Sequence, residues 1–164
     1  MKYLKVSLFL LAALVTVGLS ACKKMANTPP AATFVQFNYD STTTVQFLKP
    51  VGTYATSNGE FQLLVNNSTS TFELFVSNLT GGTFDVASGQ AAIIYASPAT
   101  TGSGNLINVS SATSGTVVIT TYSTTEVAGT FSFSGKDVAG NTYKVTSGTF
   151  TTTYSKASTV DYFF

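Results

Sequence analysis

Seven carboxylates, as possible pairs, give this 164-residue chain its one familiar catalytic option: Asp40, Glu60, Glu73, Asp85, Glu126, Asp137 and Asp161. Histidine and arginine are absent, and there is one cysteine, Cys22. That inventory excludes Ser-His-Asp and Cys-His nucleophiles, zinc held by imidazole or several thiolates, and arginine clamps on phosphate. What remains is paired-carboxylate chemistry, in which two acids flank a glycosidic bond. The seven acids fall about one to each expected strand or turn, the pattern of solvated strand ends, so no catalytic residue and no enzyme is expected. Lys136 and Asp137, beside Gly135, read as polar hairpin residues. Asp137 with Asn141 offers too few oxygens for calcium, which takes roughly six to eight, so neither a metal nor a cofactor is expected.

Tyrosine is the other residue type with recognition chemistry, a flat apolar ring with a hydroxyl at its tip. Tyr39, Tyr54, Tyr95, Tyr122, Tyr143, Tyr154 and Tyr162 could include a sugar-stacking platform, although most occupy strand positions suited to core or rim. The sequence alone assigns no ligand-binding residue. Beyond residue 21 there are six lysines against seven acids, and that near-neutral surface argues against nucleic acid, whose phosphates demand matching positive charge. Only 9% of the chain is charged; its polarity comes from Thr, Ser, Asn and Gly, as is usual for exported β-proteins.

The amino terminus explains the cysteine. Lys2 and Lys5 precede a nearly unbroken apolar run from Val6 to Leu19, and small residues follow at Ser20 and Ala21. This is the layout of an export signal, and the run is shorter than the roughly 20 residues needed to cross a bilayer. Leu19-Ser20-Ala21-Cys22 resembles the bacterial lipobox at all four positions, which implies cleavage before Cys22 and a lipid on its sulfur. At about 0.8 kcal/mol per buried CH₂, two or more acyl chains anchor a protein stably. Lys23 and Lys24 would lie beside the headgroups. Lys23 to Asn27 lacks the acidic run of surface-exported lipoproteins, which favours an outer-membrane anchor facing the periplasm over the alternative of exposure at the cell surface. With Cys22 occupied no disulfide is available, so the core must hold by packing and sheet hydrogen bonds.

These features divide the chain into a signal peptide (1–21), a lipidated tether with Pro29-Pro30 (22–32) and one domain (33–164). In the domain, short runs of β-branched and aromatic residues alternate with Gly, Asn and Ser, without helical periodicity. Strands are expected at 34–39, 44–48, 60–65, 71–77, 82–86, 91–96, 106–109, 115–122, 127–134, 142–146 and 148–154. Phe131 and Phe133 share a face opposite Thr130, Ser132 and Ser134, which predicts antiparallel sheet with one wet side. Turns are expected at Asn58-Gly59, Ala139-Gly140-Asn141 and Ser147-Gly148, and a long loop over 97–105. A Gly-Thr-aromatic echo at Gly52, Gly82, Gly129 and Gly148 reads as a turn glycine followed by the first inward aromatic of a strand. The expectation is an all-β domain, an antiparallel β-sandwich or partly closed β-barrel of about 9–11 short strands.

The stretches Gly115–Tyr122, Val127–Phe133 and Tyr143–Phe150 together resemble a family of uncharacterised Bacteroidetes lipoproteins, the DUF6252-like group. Gly129, Phe131, Phe133, Gly148 and Phe150 are the matching positions, and the resemblance implies three successive strands and an envelope location, with no activity. Asp40-Ser41-Thr42 is similar to the Asp-Ser/Thr-x pattern that Bacteroidetes glycosylate on oxygen, which implies a sugar on Ser41. Two readings of function follow. One is a membrane-anchored binding or interaction module for a glycan, a peptide or an envelope protein; the other is a structural accessory without a small-molecule site.

Overall fold

A computed structural model describes residues 32–39, 43–68, 70–96, 114–136 and 140–160, all within the unit Ala31–Phe164. Ten strands are described: β1 (Phe34–Tyr39), β2 (Thr43–Leu48), β3 (Val51–Ala55), β4 (Phe61–Asn66), β5 (Thr71–Val76), β6 (Gly82–Asp85), β7 (Ala91–Ala96), β8 (Ser114–Tyr122), β9 (Glu126–Lys136) and β10 (Thr142–Ala157). They form one sheet in the order β6-β8-β9-β10-β3-β4-β5-β7, with the β1–β2 hairpin attached to β10 through β1. The sheet curls into a nearly closed barrel, so the all-β, partly closed expectation holds. The two ends of the path, β6 and β7, are joined by a tight turn in which the Gln90 N–H donates to the Asp85 carbonyl at 3.1 Å. The Asp85 carboxylate accepts from the Ser88 N–H at 2.8 Å.

Period-two patterning drives this closure. Along β9, Val127, Gly129, Phe131, Phe133 and Gly135 are buried, while the residues between them are exposed or half-buried. Rings from opposite walls meet at the centre. Phe37 of β1 lies 5.5 Å from Phe72 of β5, 5.1 Å from Tyr95 of β7 and 5.8 Å from Phe131 of β9. Aromatic pairs at such distances contribute about 0.5–1.5 kcal/mol each beyond area burial, which suits a domain with neither tryptophan nor disulfide.

The structure departs from the sequence expectations at three places. First, Val51–Ala55 is a strand, and it pairs parallel with β10 (Thr153↔Val51 to Ala157↔Ala55), so the sheet is mixed and not wholly antiparallel. Second, Ser147-Gly148 is no turn. The segments expected at 142–146 and 148–154 are one strand with a bulge between Val145 and Gly148. A one-residue slip reverses which side chains face the core. Val145 points inward before the bulge, and Gly148, Phe150 and Thr152 point inward after it. Third, Gly52, Gly129 and Gly148 are strand-interior residues, not turn glycines. Gly129 pairs with Phe150 and Gly148 with Phe131, so each ring covers the glycine of the opposite strand. A Cβ on Gly148 would overlap the Phe131 ring, and one on Gly129 would overlap the Val118 carbonyl oxygen. The expected strand at 106–109, the 97–105 loop, Cys22 and Ser41 lie outside the described residues.

β10 is where the sheet forks. Its one edge follows β9 from Thr142 to Thr153; its other edge pairs with β1 up to Thr151 and with β3 from Thr153. Thr152, fully buried, sits at the switch. Its hydroxyl donates to the Pro50 carbonyl at 3.1 Å, with the Thr153 carbonyl a second acceptor at 2.8 Å. The inward polar group is thereby satisfied, and the start of β3 is fixed against β10.

Candidate functional site

Four of the seven acids are described, and the strands hold them apart in roles of their own. Asp85 organises the β6–β7 turn and Glu126 begins β9. Glu60 precedes β4, where its N–H donates to the Asn58 side-chain oxygen at 3.2 Å. Glu73 is buried and accepts from Gln62 Nε2 at 2.6 Å. Gln62 and Glu73 each interrupt an apolar run, Phe61-Gln62-Leu63-Leu64-Val65 and Phe72-Glu73-Leu74-Phe75-Val76. That was a legible signal which the sequence reading did not use. Among the described residues, no three of His, Cys, Asp and Glu come together as metal ligands.

The barrel gathers three of the tyrosines at one end. Tyr54 of β3 and Tyr154 of β10 have ring centroids 6.0 Å apart, edge to face, and Phe61 lies 6.2 Å from Tyr154. The Tyr154 hydroxyl donates to the Ser123 carbonyl at 2.7 Å. Burial, followed by the adjacent Tyr122 hydroxyl and then Tyr54, raises the Tyr154 phenol above its ordinary value. Tyr122 is 47% exposed. Tyr54 and Tyr154 are half-buried and pack their rings against the core, a place that suits a half-polar side chain. Tyr95 is core and Tyr143 is half-buried; the side chain of Tyr39 and all of Tyr162 lie outside the described residues.

The concave surface lies elsewhere, on the outer face of β8, β9 and β10. Because inward positions on these strands are apolar or glycine, Thr152 apart, their outward positions fall in rows set by the register. Ser114 faces Ser134, which faces Lys144; Thr116 faces Ser132; Val118 faces Thr130, which faces Thr149. One depression of about 440 Å³ is lined by Ser114, Gly115, Ser132, Ser134, Lys144 and Thr146, among others. A second, of about 310 Å³, shares Ser132 and Thr146 with it and continues toward Thr130 and Thr149. The two form one open trough. Thr116 Oγ1 and Ser132 Oγ share a hydrogen bond at 3.3 Å.

Two local features shape the trough. Short side chains leave the backbone low, and the β10 bulge carries Thr146 and Ser147 at its margin. A Cβ on Gly115 would meet the Ser132 carbonyl at 2.5 Å, so glycine lets β8 approach β9 at the floor. Chemically the trough offers hydroxyls that donate or accept, and the Lys144 ammonium as the one cation among its described lining residues, which include no carboxylate. Such a surface can hydrogen-bond a polyhydroxylated ligand or an extended main chain. The sequence reading placed Thr130, Ser132 and Ser134 together on the wet face, but not the trough, which needs the register of three strands. The chain matches no protein-family model, and no curated protein or solved structure is significantly similar to it.

Proposed function

We propose that this protein is a non-catalytic binding module of the bacterial cell envelope, anchored to the outer membrane by lipid on Cys22 and facing the periplasm. The anchor rests on Leu19-Ser20-Ala21-Cys22 and the export signal before it. The binding role rests on the hydroxyl-lined trough across β8, β9 and β10. A face rich in Ser and Thr also serves solubility in a chain with few charges. The trough adds concavity and a single cation. Its hydroxyls fit a hydroxyl-rich glycan strand best, because each can both give and accept a hydrogen bond.

The test is binding of the protein to isolated envelope glycans, measured for the parent and for Ser132→Tyr, which fills the trough from an outward position and leaves the core untouched. A loss of at least about tenfold, equivalent to roughly 1.4 kcal/mol, is expected. Unchanged affinity in the filled variant removes the trough from the proposal. Metabolic labelling with a tagged fatty acid checks the anchor: the label should appear on the parent and be absent from Cys22→Ala.

A further inference from the structure

Large apolar side chains are exposed at one corner of the barrel. Leu48, the last residue of β2, is 68% exposed, and Val51, the first of β3, is 62% exposed. Between them Lys49 is exposed and Pro50 buried. Lys49 has φ 57°, the one non-glycine residue with positive φ among those described. This left-handed conformation disfavours a residue with a Cβ, and Gly or Asn would adopt it more readily. The corner thus keeps a long cation where backbone geometry favours another residue.

The neighbours extend the patch. Leu48 is paired with half-buried Phe34, and Val51 with half-buried Leu64. Phe34 and Val51 lie on β10 partners two residues apart, Thr151 and Thr153, so all four apolar residues share the outward face at the fork. The chain enters the domain at the same place: the Lys49 N–H donates to the Thr33 carbonyl at 3.2 Å. The eleven residues from Cys22 to Ala32 span at most about 40 Å, so a lipid on Cys22 would lie within that reach of this corner.

We propose that the corner formed by Phe34, Leu48, Lys49 and Val51 is a membrane-contact surface that seats the barrel on the bilayer holding its own anchor. The inference rests on the lipid-anchor reading above. Leu48 and Val51 enter the headgroup region and Lys49 meets lipid phosphates, the division of labour of interfacial segments with apolar and basic residues side by side. The barrel is then held in a fixed orientation, which a tether alone does not impose.

The chain contains no tryptophan, so an introduced one reports its own surroundings. The full lipidated protein, as Leu48→Trp, Val51→Trp or Thr142→Trp, is reconstituted in vesicles of phosphatidylethanolamine and phosphatidylglycerol with or without brominated acyl chains. Thr142 begins β10, about 30 Å along the strand from Thr151, and is exposed. Emission from Leu48→Trp and Val51→Trp should shift to the blue and fall about twofold with brominated lipid, with Thr142→Trp unaffected. If the protein floats with the vesicles and positions 48 and 51 behave like 142, the contact surface is refuted and the anchor stands. If the protein carries no lipid and does not float, both fall together.

Discussion

Gly148→Ala is the most direct test of how the barrel is packed. The added methyl would overlap three atoms of the Phe131 ring. That ring cannot swing aside freely: it is 3% exposed and lies 5.1 Å from Phe72, 5.8 Å from Phe37 and 6.3 Å from Phe133. Overpacking of this kind costs about 1–3 kcal/mol. Against it stands a gain of about 0.4–1 kcal/mol, because alanine has less conformational freedom than glycine to lose on folding. The net expectation is a loss of about 1–2 kcal/mol, read by urea unfolding as a midpoint lowered by about 0.5–1 M at an m-value near the middle of its usual range. Phe131→Leu in the same chain should recover about 1 kcal/mol of the interaction, measured as the coupling in a double-mutant cycle. Gly129→Ala should behave differently. Its methyl would meet the Val118 carbonyl oxygen as well as the Phe150 ring, so Phe150→Leu should rescue it poorly. Gly81→Ala, with nothing within 4 Å, should change stability by less than about 0.5 kcal/mol. If Gly148→Ala is as stable as the parent, or Phe131→Leu shows no coupling to it, the reciprocal glycine–ring packing is the wrong account.

Other outcomes follow from single contacts. Thr152→Val keeps the volume but removes the hydroxyl that the Pro50 carbonyl accepts from; it should cost about 1–2 kcal/mol and speed amide exchange in β3. The raised Tyr154 phenol favours the neutral form in the folded state, so its contribution is complete below the ordinary tyrosine value near 10 and is lost as pH rises through the folded value. Alkaline unfolding should therefore be shallower in Tyr154→Phe, and tyrosinate absorbance should show one late-titrating group in the parent that this variant lacks. Glu73→Ala removes the acceptor of a buried 2.6 Å hydrogen bond and should destabilise by about 2–4 kcal/mol in urea, more than an exposed Asp85→Ala.

Where alternation was uninterrupted, the sequence was enough. Phe131 and Phe133 opposite Ser132 and Ser134 announced both the strand and its wet face. β3 was hidden because Gly52 breaks a five-residue strand after Pro50, and its long edge partner lies a hundred residues away in β10. β10 was read as two strands because Ser147-Gly148 has the chemistry of a turn. Only the demand that Val145 and Phe150 both face inward, despite opposite parity, turns that dipeptide into a bulge. The candidate site was half legible for the same reason. Its hydroxyls could be assigned to an outward face, but their rows exist only once three strands are in register. The tyrosine inventory likewise contained Tyr54, Tyr122 and Tyr154, without any signal that these three would meet.

The fork at β10 also sets an order of events. β10 is the last of the described strands, yet β1, β3 and β9 all pair with it. The Thr152–Pro50 hydrogen bond closes a separation of 102 residues. Contacts so distant in sequence must meet a large loop-closure entropy before they return anything, and they make folding slow. Without β10, the β1–β2 hairpin and the β3–β4–β5–β7 wall have no shared edge. A chain crossing a membrane amino terminus first would carry all its earlier strands across before the one that unites them. The topology thus delays closure of the barrel until β10, the last of the described strands, is available to pair.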